Sequence, residues 1–277
     1  MKSSIQTIQL TKVTSKGALE QADLLAVEEP LEIRLGFGLL NEREQRSLSI
    51  TMRTPGHDFE LTLGFLFSEG IITSMAQVER IKYCSTVKQE EFENVVRVEL
   101  KPEVQLDFKK FQRHFYTSSS CGVCGKSSID AVKVNCHPIR SQLRVTTDFI
   151  HGLPHKLREA QHVFEHTGGL HASALFNEHG ELILVREDVG RHNALDKVIG
   201  AMLVKNEVPL SNYILMVSGR ASFELVQKAA LAGIPLLAAV GAPSSLSVEL
   251  ARETGMTLLG FVRDGGFNVY VGEQRVS

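Results

Sequence analysis

Two thiols stand two residues apart in the stretch SSSCGVCGK (residues 118–126), where Cys121 and Cys124 are flanked by serines, glycines and Lys126. Three chemistries suit such a pair. A structural zinc site needs four ligands, commonly as two close pairs. Cys136 and His137 are the nearest further donors, but the eleven-residue gap from Cys124 is shorter than the usual spacing between ligand pairs. Dithiol exchange normally uses a CxxC where a strand enters a helix, whereas these flanks read as a loop. The third chemistry is a single sulfur nucleophile. A free cysteine is only slightly ionised at neutral pH. Each unit of pKa depression needs about 1.4 kcal/mol of differential stabilisation, within reach of Lys126 and one other cation. A zinc deaminase pairs CxxC with H-x-E. Here the histidine motif is His171-Ala172-Ser173, with serine in the glutamate position, and it follows the cysteines. The acid/base residue of that chemistry is therefore missing.

A second group of residues suits an anionic ligand. Apolar strands over YILMVS, PLLAAVG and MTLLGFV alternate with the helical stretches ASFELVQKAALAG and SSLSVELARETG. Ser222 is a candidate N-cap, and Gly233 and Gly255 are candidate helix stops. Strand–helix alternation with short connections predicts a largely parallel sheet flanked by helices. Ligands collect at the carboxyl edge of such a sheet. Three strand ends meet there on this reading: Ser218-Gly219-Arg220, Gly241–Ser245 and Arg263-Asp264-Gly265-Gly266. Glycines admit a close approach of backbone N–H groups, and Arg220 and Arg263 can each grip a phosphate with two hydrogen bonds. The segment REDVGRHNALDK (residues 186–197) crowds Asp188, Arg191, His192 and Asp196 around a strand exit and helix start. There Asp188 is a candidate cap, and His192 and Asp196, one turn apart, are a candidate pair. His171 lies upstream beside Gly168 and Gly169.

The elements that carry these residues divide the chain of 277 residues into three parts. Residues 1–110 are expected to form a smaller, mainly β N-terminal subdomain, with paired strands over 30–53 and one helix through Phe59, Leu63 and Leu66 that stops at Gly70. Cys84 reads as a small buried apolar residue. Residues 111–165 read as a mobile CxxC loop and a polar connector, and residues 166–277 as an α/β core with a hairpin turning at Asn177–Gly180. A net charge of -2 supplies no global basic field for nucleic acid. No apolar run reaches the roughly 18 residues that span a bilayer. The N-terminal residues lack the pattern of a signal peptide. Four cysteines are too few for a disulfide scaffold. A cytoplasmic, reduced setting is the expectation.

Taken together, SSSCGVCG, TGGLHASA, EDVGRHNALDK, SGRASFELVQKAALAG and LLGFVRDGGFNVY resemble the FdhD family of sulfurtransferases required for formate dehydrogenase activity. The resemblance is close over residues 115–271 and looser upstream, at LGFLFSEGII. It implies a sulfur carrier that receives sulfur from a cysteine desulfurase as a persulfide on Cys121, with Cys124 assisting or protecting it. The acceptor implied is the molybdenum cofactor bis(molybdopterin guanine dinucleotide), a bound substrate, before its insertion into formate dehydrogenase. The segment Phe261, Val262, Arg263, Asp264, Gly265 and Gly266 would contact that cofactor. Ser218, Gly219, Arg220, His171, Arg191 and His192 are the further candidates on the same edge. The resemblance also implies a cytidine-deaminase-like fold, a homodimer and no intrinsic metal. The alternative reading is a chaperone that binds the molybdenum cofactor and whose CxxC is structural or holds zinc.

Overall fold

The computed structural model describes residues 2–106, 136 and 138–277. At the N-terminus, Ile5–Thr14 (β1) and Gly17–Ala26 (β2) pair antiparallel as an isolated two-stranded ribbon. Neither strand has a well-buried face, and Val13 and Leu19 are 77% and 68% exposed. No apolar alternation therefore marks the ribbon in the sequence.

Glu29–Phe37 (β3) and Glu44–Arg53 (β4) are the paired strands expected over residues 30–53. With Val78–Tyr83 (β5) and Val95–Leu100 (β6) they form a sheet of order β4-β3-β6-β5. Asp58–Ser68 (α1) covers one face, where Leu61, Leu63 and Leu66 pack with Leu31, Ile33, Leu35, Val96 and Val98. Gly70, with φ +72°, follows the helix end as a left-handed residue. Cys84 is 4% exposed, as its reading required.

The stretch expected to be a polar connector contains Thr147–Glu159 (α2) and His162–Thr167 (α3). Ile150, Leu153 and Leu157 recur at helical spacing along α2 and bury themselves against Ala174, Met216, Ala238 and Leu259. The Thr146 hydroxyl accepts from Phe149 N at 3.3 Å and caps the start of α2. Three apolar residues among many polar ones are enough to seat a helix when a large sheet supplies the opposing surface.

That surface is a six-stranded sheet of order β12-β11-β10-β9-β7-β8. Its strands are His171–Phe176 (β7), Leu182–Asp188 (β8), Ile214–Val217 (β9), Leu236–Ala239 (β10), Thr257–Arg263 (β11) and Gly266–Val271 (β12). Arg191–Val204 (α4), Phe223–Leu231 (α5) and Ser245–Thr254 (α6) lie on one face, and α2 lies on the other. The expectation of a largely parallel sheet is corrected here. Parallel pairing is confined to β9, β10 and β11, while β8–β7, β7–β9 and β11–β12 are antiparallel. The two hairpin turns are too short for a crossover. Helix α4 then carries the chain back beside β7 rather than β8, which makes the β7–β9 pair antiparallel as well.

The two sheets are joined where α1 crosses α4. A Cβ on Gly200 would lie 1.8 Å from the Glu60 carbonyl oxygen, and one on Gly64 would lie 1.9 Å from that of Asp196. Only glycine lets these helices touch backbone to backbone. Arg186 of β8 adds a fork to Glu60 of α1, with Nη2–Oε1 at 2.8 Å. Burial opposes ionisation of Glu60, but the hydrogen bonds from Arg186 and His57 outweigh it and bring its pKa down to about 2.

Candidate functional site

β8, β9 and β10 end on one edge of the six-stranded sheet, and the antiparallel β7 begins there. Ser218 N donates to the Ala172 carbonyl at 3.0 Å, and Ser218 Oγ accepts from Ala172 N at 2.9 Å. Gly241 N donates to the Gly219 carbonyl at 2.9 Å, and Phe261 N donates to the Gly241 carbonyl at 3.2 Å. The three strand ends expected to meet, at Ser218–Arg220, Gly241–Ser245 and Arg263–Gly266, thus close neighbouring strands along one rim.

The glycines of this rim divide by role. A Cβ on Gly241 would lie 3.0 Å from Arg220 Cα, and one on Gly260 would lie 2.9 Å from both Pro243 Cδ and Tyr270 Cε2. These two serve the packing of loop on loop. Gly265 and Gly266 face open space, and Gly265 has φ +138°, which favours glycine. At Gly219 an added Cβ would rest 3.4 Å from the His171 Nδ1.

Phe261 is the unusual residue of the rim. Its φ is +54° and its side chain is 39% exposed, at a register shift between β11 and β12. A left-handed non-glycine residue stores about 1–3 kcal/mol and marks functional sites more often than chance. Val262 turns the other way and is 1% exposed, packed in the core beneath α2. It therefore anchors the segment rather than facing solvent. Arg220, Arg263 and Asp264 are exposed, and neither arginine makes an ion pair among the described residues. Two free guanidiniums beside an exposed aromatic ring can receive an anionic, ring-bearing ligand.

His171 is half-buried at the start of β7. Burial pushes its pKa down, the Arg191 charge adds to this, and Asp188 partly offsets it. At neutral pH the imidazole is therefore neutral. Arg191 Nε is buried with no hydrogen-bond partner among the described residues. His192 turns elsewhere: its Nε2 lies 3.3 Å from Glu224 Oε2 and 3.4 Å from Ser222 Oγ, which ties α4 to the start of α5. Ser222 occupies the N-cap position of α5 without a side-chain cap bond.

The expected pairing of His192 with Asp196 is not made. Asp196 accepts both oxygens' worth of hydrogen bonds from Lys228 Nζ, at 2.8 and 2.6 Å, and a third from Ser68 Oγ at 2.9 Å. Burial disfavours charge on Lys228, but the attraction of Asp196 outweighs this and holds it protonated. Asp188 is fully buried, with Oδ2 at 2.7 Å from Lys197 Nζ. Its carboxylate also accepts from Thr54 N, Gly190 N and Asn193 Nδ2. Asp188 is thus a clasp between the two sheets rather than a helix cap. Much of the REDVGRHNALDK stretch holds the fold, and only Arg191 of its charged residues keeps an open polar atom.

Sequence reasoning missed the wall beside this rim. Glu187 reaches across to α3 and accepts from Val163 N at 3.0 Å and Phe164 N at 2.8 Å. With α2 and α3 so placed, a cavity of about 450 Å³ opens between them and the ends of β7, β9 and β10. His171 and Ser218 line it, together with Arg158, Gln161 and Phe164. The only sequence signal for these last three was the weak apolar spacing of α2.

Cys121 and Cys124 lie outside the described residues, as do Lys126 and His137. Cys136 is described: burial, reinforced by Glu253, pushes its thiol up to about 11, so it stays protonated. No helix among the described residues is long and apolar enough to cross a membrane.

Comparison with known proteins matches residues 26–277 to the FdhD/NarQ family. A sulfur carrier protein FdhD of Streptomyces coelicolor is 53% identical over 260 residues, covering 92% of this chain and 89% of its own. One of Saccharolobus solfataricus is 43% identical over 272 residues, covering 98% of both chains. A crystal structure from Desulfotalea psychrophila, provisionally assigned as a formate dehydrogenase accessory protein, has the same fold. Its TM-score is 0.76 at 24% identity, over 99% of this chain and 100% of that one.

Proposed function

The chain belongs to the FdhD/NarQ family, and from that premise we propose that it is a sulfur carrier serving formate dehydrogenase. Cys121 is the carrier atom in this reading. Its thiolate attacks the terminal sulfur of a persulfide on a cysteine desulfurase. A new S–S bond forms on Cys121, the donor's S–S bond breaks, and the donor cysteine leaves as a thiolate. For delivery, the Cys124 thiolate attacks the Cys121 sulfur and hydrosulfide departs towards the cofactor. The transferred sulfur gains two electrons, and the two cysteines supply them by forming a disulfide. The acceptor is the molybdenum cofactor, bis(molybdopterin guanine dinucleotide), bound as substrate.

The observation that supports a dinucleotide acceptor is the rim itself. Exposed Arg220 and Arg263 offer charge-assisted hydrogen bonds to phosphate, and the strained, exposed Phe261 offers a stacking surface. Gly265 and Gly266 leave the backbone between them open to contact. Asp264 can accept hydrogen bonds from the N–H groups of guanine. His171 and Arg191 stand at the opposite end of the same rim. His192 serves by fixing α4 against α5 rather than by contact.

Two measurements test this reading. Arg263→Ala should weaken guanosine diphosphate binding by about 1–3 kcal/mol, the value of a charged hydrogen bond. Cys121→Ala should fail to restore formate dehydrogenase activity to cells that lack the parent protein. Full restoration would favour a cofactor chaperone whose cysteines only brace a loop.

A further inference from the structure

The chain holds four thiols, and the two that lie among the described residues decide where the electrons of sulfur delivery come from. Cys84 sits beside β6, its N–H donating to the Val95 carbonyl at 2.8 Å. Burial opposes its ionisation, but hydrogen bonding to Thr86 and the charges of Arg34 and Arg97 outweigh this and lower its pKa. A thiolate there is nonetheless shielded. The residue is 4% exposed, with Thr86 Oγ1 at 3.2 Å and Arg34 Nη1 at 4.0 Å from the sulfur. Cys136 is the reverse. It is only half-buried, against the core beneath α4, α5 and α6, but a pKa of about 11 leaves about one thiol in ten thousand ionised at pH 7.

Exchange with a disulfide needs an attacking thiolate with open access to a sulfur. Cys84 lacks the access and Cys136 lacks the charge. Reducing one disulfide also takes two thiols, which finish joined to each other. Cys84 and Cys136 pack on different sheets, so they do not form such a pair.

The consequence rests on the carrier reading above. In delivery, the Cys124 thiolate attacks the Cys121 sulfur, the bond from Cys121 to the outer sulfur breaks, and hydrosulfide leaves. The outgoing sulfur gains two electrons, and the new Cys121–Cys124 bond holds the oxidised pair. A chain in that state has no thiolate at Cys121 to accept the next sulfur. We propose that each sulfur delivered is followed by reduction of the Cys121–Cys124 disulfide by an external dithiol reductant, one dithiol per sulfur. One thiolate of the reductant attacks the disulfide and forms a mixed disulfide. Its second thiol attacks that bond, frees both cysteines of the chain, and leaves the reductant as an intramolecular disulfide. The two protons of the reductant pass to Cys121 and Cys124. A monothiol serves poorly, because the freed cysteine two residues away attacks its mixed disulfide at an effective concentration of about millimolar or above and expels it.

The test follows one round of delivery. The full chain is loaded by a persulfidated cysteine desulfurase and freed of cysteine. It is then added to an extract of cells lacking the parent protein, desalted so that neither small thiols nor reduced nicotinamide cofactors remain. Formate dehydrogenase activity is measured. The peptide of residues 114–126, which holds both cysteines, is weighed after acid quenching and alkylation. Activity should rise to a plateau proportional to the chain added, with the peptide left as the disulfide. Fresh persulfidated desulfurase alone should not lift the plateau. Dithiothreitol added with it should restore delivery at least about tenfold faster than glutathione at equal thiol concentration. The double variant Cys84→Ser with Cys136→Ser should match the parent throughout. Activity climbing past the plateau without added thiol, a peptide still in the dithiol form after delivery, or glutathione working as fast as dithiothreitol would overturn the proposal and leave the carrier reading intact. A double variant that melts like the parent but plateaus lower would do the same. A Cys121 that takes up no sulfur, or a loaded chain that raises no activity, would sink the carrier reading and the proposal with it.

Discussion

Replacing Lys197 with methionine removes the cation at the centre of the contact between the two sheets. Lys197 is 1% exposed, and its Nζ lies 2.7 Å from Asp188 Oδ2, 2.9 Å from the Thr54 carbonyl and 3.2 Å from the Glu187 carbonyl. Methionine fills similar space but donates nothing. The loss therefore includes an unpaired carboxylate at a fully buried position, together with two carbonyls that lose a donor. Breaking a buried pair from one side costs about 3–5 kcal/mol, a large share of the roughly 5–15 kcal/mol that stabilises a typical protein. At about 2–4 °C per kcal/mol for chains of this size, the melting temperature should fall by about 6–20 °C. Differential scanning fluorimetry with a urea titration measures both quantities. The double variant Lys197→Met with Asp188→Asn removes the stranded charge and should recover at least about half of the loss. A single variant melting within about 2 °C of the parent would show that the clasp carries little energy, and the assignment of Asp188 to structure would have to be withdrawn.

Glu60 gives a pH signature. Its native pKa of about 2 lies below the ordinary 4.5. Its contribution is therefore complete above about 4.5 and is lost as pH falls towards about 2. With its side chain 23% exposed, that contribution is about 1–3 kcal/mol after screening. Glu60→Gln should flatten the acid limb of a stability–pH curve measured by urea denaturation, and an unchanged limb would contradict the pairing with Arg186. Gly200→Ala should destabilise by about 3 kcal/mol or more, because the new methyl meets backbone atoms that cannot turn away. A denaturation midpoint equal to the parent's would mean that α1 and α4 do not touch at that point.

Where one local pattern decided the outcome, the fold could be read from the sequence. Phe59, Leu63 and Leu66 with Gly70, and Gly255 at the end of α6, placed helices and their stops. The short apolar strands β9, β10 and β11 implied parallel pairing and a ligand-facing edge. The antiparallel flanks were less legible, because apolar content does not reveal which neighbour a strand returns beside. The ribbon β1–β2 has no apolar face to detect. The cavity wall was missed for a different reason: Arg158, Gln161 and Phe164 are distant in sequence from Ser218, and tertiary contacts bring them together, through the packing of α2 on the sheet and the reach of Glu187 to α3. His192 and Asp196 show the limit of spacing arguments. One helical turn permits their contact, but tertiary partners on α5 and α1 took both side chains.

Everything proposed about sulfur transfer passes through one atom, the Cys121 sulfur, and it can be weighed directly. Incubating the full chain with a cysteine desulfurase and free cysteine, followed by non-reducing digestion and mass spectrometry, should leave the Cys121 peptide heavier by one sulfur atom. The added mass should disappear on treatment with thiol and be absent from Cys121→Ala. An unmodified Cys121 peptide beside a desulfurase that is itself persulfidated would contradict the carrier account.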